Sequence, residues 1–175
     1  MTFKGSCLFL LIAIALITSA CSGHDVDVSL NSTDIYFIKQ ATGSNLNEIR
    51  ISTIAHYNGH ENTVRIFADQ VIFDDSIAVT SMDSLVGALP YNGDRPLEPD
   101  SEHKVQALML QTLLGYTFDT AYINGQTLDH QSTLSVFQTE ISKGNNPLVK
   151  QYAIRFLPMV QTHLEQALNI QKTLK

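Results

Sequence analysis

From residue 147 to the C-terminus one row of side chains repeats: Val149, Ala153, Phe156, Val160, His163, Ala167, Ile170 and Leu174. Steps of three and four residues return to a single face only on a helix with 3.6 residues per turn. Asn146-Pro147 gives this helix a capping side chain followed by proline at the first helical position. Pro158 lies inside the helix and predicts a kink. A chain that commits this much length to one narrow apolar seam has to supply other helices to cover it.

Three further long helical patterns are present. Val64, Ala68, Val71, Ala78, Met82, Leu85 and Leu89 form a second seam, with Asp75 standing where an apolar member belongs. The β-branched residues between Val64 and Val79 also fit a strand, but the length of the run favours helix. Upstream, Ser32 or Thr33 is placed to cap a first helix running to Tyr57, where Asn58-Gly59 stops it. Its apolar positions are scattered. Pro90 ends the second helix, and residues 90–100, with three prolines and Asn92-Gly93, read as a crossover. A short helix over Ser101–Leu114 ends at Gly115, and Thr117 caps a third long helix that reaches Lys143. No internal repeat or low-complexity tract stands out. Four long helices with one long connection, carrying a short extra helix, between the second and the third predict an all-α four-helix bundle; the periodicity alone also fits other all-α packings.

Composition removes several alternatives. The 175 residues carry a net charge of -6 with only eleven Lys and Arg, which excludes a dedicated nucleic-acid binder. Two cysteines build neither a disulfide framework nor a Cys-rich zinc site. With 44% hydrophobic and 16% charged residues the chain is not a disordered one.

The N-terminus is an address. Lys4 precedes the apolar run Leu8–Ile17, which is too short to span a bilayer at the ~20 residues this requires. Thr18-Ser19-Ala20-Cys21 then places small residues before a cysteine. The arrangement resembles the bacterial lipobox, with threonine where leucine is commoner. That resemblance implies cleavage before Cys21 and lipidation of its thiol, and Ser22 in the next position implies delivery to the outer membrane, facing the periplasm. The domains are then a signal peptide over 1–20, a polar tether over 21–31 and the bundle over 32–175. Loss of Lys4 takes the mature charge to -7. An acylated Cys21 leaves no free thiol and holds the domain against a membrane.

Polar residues interrupt the seams at one level. The helix midpoints fall near residues 46, 76, 130 and 160. Glu48, Asp75, Asp129, His130 and His163 lie within about three residues of them, and at ~1.5 Å per residue they share one layer. Buried charges must pair, bind metal or shift their pKa. Two readings follow: an acid–histidine network that fixes helix register, or a site for iron, manganese or zinc, as in di-iron carboxylate bundles. The Glu-x-x-His pairs of di-iron sites are missing at these places. No G-x-S-x-G elbow, phosphate-binding glycine loop or Cys-x-x-Cys is present. His56 and His60, four apart, have zinc-like spacing but flank Gly59 at a turn, so they read as solvated. Asp119 suits the dipole of the third long helix, and Tyr122 reads as a core tyrosine with a paired hydroxyl.

Phe118-Asp119-Thr120-Ala121-Tyr122, then Asp129-His130, Tyr152-Ala153, Leu157-Pro158 and His163-Leu164, resemble the domain-of-unknown-function family 4142. The first half is similar through Glu48, Val64 and Phe67-Ala68. Members are small exported bacterial proteins, often labelled predicted outer-membrane proteins, with a ferritin-like helical fold. They commonly carry Asp-His in the second helix, where this chain has Asp74-Asp75. The family brings no agreed activity. The expectation is therefore a non-enzymatic envelope protein that binds an envelope partner or supports stress tolerance. The alternative is a metal-binding or oxidoreductase bundle using Glu48, Asp75, Asp129, His130 and His163.

Overall fold

The computed structural model describes residues 29–93, 96, 98 and 101–174. Among them are five helices and no strand: α1 (Ser32–Asn58), α2 (Asn62–Ala88), α3 (Ser101–Gln111), α4 (Gly115–Lys143) and α5 (Pro147–Thr173). The signal segment, Cys21 and the tether up to residue 28 lie outside the described residues. No described helix is long and apolar enough to cross a membrane.

Local chemistry sets the helix ends. Asn146 caps α5, its carboxamide oxygen accepting from the Leu148 and Val149 N–H groups, with Pro147 in the first turn. The cap of α1 is Asn31 rather than Ser32 or Thr33. Its side chain accepts from the N–H groups of Thr33 and Asp34 at 2.8 and 2.9 Å, and the Asp34 carboxylate accepts the Asn31 N–H at 2.6 Å. This reciprocal box needs an acid three residues beyond the cap. Ser32 and Thr33 have Ile35 and Tyr36 there. The start of α4 also differs from expectation: it begins at Gly115, not after Thr117. Gly115 has φ +58°, a left-handed turn that glycine adopts without strain and that separates α3 from α4. In α5 the helix runs through Pro158, which is exposed, as is Ile154, whose carbonyl loses its bond there.

The four long helices pack as two hairpins. α1 lies against α2 and α4 against α5; α1 also runs along α4, and α2 along α5. α3 rests on α1 and touches α4. Contact with all four other helices explains why the pattern of α1 is scattered. Its buried arc is wide and includes Thr42, Asn45, Asn47, Glu48 and Ser52 beside Phe37, Ile38, Ala41, Ile51 and Ala55.

The apolar core is divided in two. One cluster gathers Ile51, Ala55, Val64, Phe67, Val71, Phe118 and Ile123 with Ala107 and Leu110 of α3. The other gathers Phe37, Ile38, Ala78, Met82, Phe137, Val149, Phe156 and Val160. On each long helix the residues of one cluster precede, and those of the other follow, a buried polar stretch.

The hairpins also correspond to each other, a repeat that is not evident in the sequence. At one constant offset Asp34 matches Asp119, Phe37 Tyr122, Ile38 Ile123, Thr42 Thr127, Gly59 Gly144, Val64 Val149, Phe67 Tyr152 and Ala68 Ala153. Every one of these residues is buried. The match extends to bonding. Asp34 accepts from the N–H groups of Asn145 and Asn146 at the α4–α5 turn, at 3.1 and 3.0 Å. Asp119 accepts from those of His60 and Glu61 at the α1–α2 turn, both at 2.8 Å. Each hairpin closes the turn of the other, which gives Asp119 a structural role beyond the helix dipole.

Candidate functional site

Between the two apolar clusters lies a polar waist. Glu48 of α1, Asp75 of α2, His130 of α4 and His163 of α5 are all buried. The two imidazoles meet edge to face, with ring centroids 5.3 Å apart. Four of the five residues singled out in the sequence therefore share the interior. Asp129 does not: it is half-buried on the side that faces α3, where it accepts from Gln106 Nε2 at 3.0 Å. Consecutive helical residues point about 100° apart, and on α4 the turn that aims His130 inward with Gln126 and Phe137 aims Asp129 toward α3. Asp129 instead lines an outer cleft of about 340 Å³ with Lys39, Ser44, His103, Ser132 and Thr133.

Three partners at the waist were not read from the sequence as members of it. Gln126, one turn before His130, donates through Nε2 to Glu48 and accepts from His130 Nδ1 through its backbone carbonyl, the latter at 2.9 Å. Asp74 accepts from His163 Nε2 at 3.0 Å. Ser52 shares a hydrogen bond of 2.8 Å with the Tyr122 hydroxyl. The signal for Gln126 was its position four residues before His130, on the same helix face. For Asp74 it was the family pattern, which has an aspartate there.

These contacts fix protonation. Burial, then the charges of Asp75 and Asp129, push the Glu48 carboxyl well above its usual range, against the hydrogen bond from Gln126. Burial and then Asp74 raise Asp75 likewise. Burial followed by the neighbouring His163 lowers His130 to about 4, and burial lowers His163 against the pull of Asp74. The shifts favour the protonated form of both acids and the uncharged form of both imidazoles. A carbonyl only accepts, so His130 carries its proton on Nδ1 and keeps the lone pair of Nε2. His163 donates through Nε2 to the Asp74 carboxylate and keeps the lone pair of Nδ1. That nitrogen has no hydrogen-bond partner, and neither do Asp75 Oδ2 and Gln126 Oε1. Among the described residues no three His, Cys, Asp or Glu side chains converge to hold one metal ion.

The two histidines at the first turn diverge. His56 pairs with Asp69 on the surface, while His60 packs on Tyr116 with centroids 4.6 Å apart.

Fold and waist together define a class: an all-helical bundle with a buried layer of acids and imidazoles at mid-depth. A solved structure described as "Crystal structure of DUF305 fragment from Deinococcus radiodurans" is similar, with a TM-score of 0.72 at 12% identity, over 83% of this chain and 99% of that one. Identity this low establishes the fold alone. No curated protein matches the chain. The chain belongs to the family described as Domain of unknown function (DUF4142), whose pattern it matches over residues 19–170.

Proposed function

We propose that this protein is a ferritin-like four-helix bundle of the bacterial envelope, anchored through lipid on Cys21 at the outer membrane and facing the periplasm. Its role is non-enzymatic: it binds a partner there or supports stress tolerance. The observation that carries this reading is the buried, largely self-partnered waist. His130 and Glu48 are both held by Gln126, and His163 is held by Asp74. A layer of this kind specifies which helix faces meet, because a slip of one turn strands buried polar groups. Mass spectrometry of the N-terminal peptide from the membrane fraction tests the address. A lipid-modified Cys21, lost in Cys21→Ser, is expected; an unmodified N-terminus in the soluble fraction overturns the anchor.

One observation favours a second reading, a metal-binding or oxidoreductase bundle. Asp75 Oδ2 and His163 Nδ1 are buried without partners, and each imidazole has one nitrogen tied while the other keeps its lone pair. Histidines that ligate metals are held this way. Glu48, Asp75, His130 and His163 are the side chains that would hold iron, manganese or zinc, with Asp129 outside the set. Metal analysis of protein purified without chelator decides between the readings. Stoichiometric metal that disappears in His130→Ala/His163→Ala supports the second. Metal-free protein whose melting temperature does not respond to added iron, manganese or zinc supports the first.

A further inference from the structure

The two ends of the molecule use the same aspartate device, but only one of them buries a second acid. Where the α1–α2 end has Ala55, the α4–α5 end has Glu140 at the corresponding position. Glu140 is fully buried, and as a bare carboxylate neither of its oxygens meets a donor. It lies against Gly144, where a Cβ would overlap the carboxyl group. The charged groups that bear on it are Asp34 from α1 and Lys150 from α5. Burial first, then Asp34, raise its pKa to about 8, against the weaker pull of Lys150. At neutral pH the side chain therefore holds a proton, and Asp34 is the group to which it donates that proton.

Asp34 is the centre of the contacts that fasten the start of the described chain. It accepts from Asn31, Asn145 and Asn146 N–H groups. Around it Asn145 Nδ2 donates to the Ser29 carbonyl and Asn31 Nδ2 to the Lys143 carbonyl, both at 3.0 Å. We infer that Asp34 and Glu140 form a one-proton site that latches residues 29–31 onto the α4–α5 turn, closed while the proton is shared and opened when it leaves. Loss of the proton puts two carboxylates side by side in a space with no donor for the second, and the cheapest relief is to part α1 from the turn. The inference does not depend on lipidation of Cys21. It assigns the point where the upstream chain joins the bundle as the part of the fold that responds to alkaline pH.

Site-resolved amide exchange on the purified protein tests the latch, with the other end as internal control. Protection factors at Asn31, Asn145 and Asn146 are expected to fall by about tenfold or more between roughly pH 6.5 and 9.5. Those at His60 and Glu61, held by Asp119 with no second buried acid, are expected to hold within about twofold. Glu140→Gln, whose amide donates to Asp34 at every pH, is expected to keep its protection throughout. An equal fall at both ends, or a Glu140→Gln variant that follows the wild-type curve, overturns the proposal. Should that variant fold poorly, carbon NMR of the wild-type Glu140 carboxyl gives the answer directly. Titration near 8 supports the latch, and titration near the ordinary glutamate value of about 4.3 rejects it.

Discussion

The hairpin of α1 and α2 and the hairpin of α4 and α5 share their ends but not their middles. Both carry an aspartate that grips the opposite turn, a glycine at the close of the first helix, and matched valine, aromatic and alanine positions at the start of the second. At the waist they diverge. The first hairpin contributes Glu48 and Asp75, where the second has Thr133 and Val160; the second contributes His130 and His163, where the first has Asn45 and Ala78. The scaffold is duplicated and the chemistry is divided, acids from one half and bases from the other. The difference shows which positions the fold requires twice and which it leaves free for a polar layer.

The equivalence of the two clamps is the strongest claim to break. Asp119→Ala and Asp34→Ala each leave partly buried N–H groups without their acceptor, and each is expected to cost about 2 kcal/mol in urea unfolding at neutral pH. A loss under about 1 kcal/mol in either variant ends the correspondence. An effect of similar size separates α5 from α2. Pro158 stands where α2 has Phe73, so Pro158→Ala restores one helix bond and is expected to stabilise by about 2 kcal/mol. No gain in unfolding midpoint would mean that the break is already fully accommodated.

The division of the waist has a signature in pH. Both imidazoles have folded pKa values below the free value, His130 at about 4. The unfolded chain thus takes up protons that the fold refuses, and their contribution is complete above about 6.5 and lost as the pH falls from there towards 4. Glu48, Asp75 and Glu140, raised by burial, work in the opposite sense, so the histidines show as a difference: as the pH falls over this limb the wild type is expected to lose roughly 1 kcal/mol per pH unit relative to His130→Gln/His163→Gln. A limb unchanged by the pair places the acid sensitivity elsewhere. The smallest effect belongs to the first hairpin. Burial already favours the uncharged form of Glu48, and glutamine still offers Gln126 a carbonyl, so Glu48→Gln at neutral pH is expected to stay within about 0.5 kcal/mol. A loss beyond 2 kcal/mol would show that Glu48 acts as a charge.

Much of this was legible in the sequence. The seams of α2 and α5, the Asn146-Pro147 start and the breaks at Asn58-Gly59 and Pro90 follow from spacing and backbone chemistry, which act within a few residues. The polar waist was legible as well, because equal helix lengths turn sequence position into height. Asp129 lies outside the waist because it points toward α3, where Gln106 holds it, and the seams of the long helices say nothing of where that short helix docks. The clamps were invisible for a different reason: Asp34 and Asp119 act on turns far away in the chain, and nothing local marks an aspartate as the acceptor of someone else's amides. The repeat escaped notice because it survives only at buried positions, diluted among surface residues that have drifted apart.

The crossed grip of the two aspartates bears on ancestry. In a polypeptide of half this length, one such acid and one such turn stand at opposite ends of the same helix, so the acid is out of reach of its own turn's amides. Such a chain completes itself only by embracing a twin, each copy stoppering its sister's bend. Fusing two of these halves through a proline-rich strap turns that intermolecular handshake into an internal one and releases each half to mutate its centre independently.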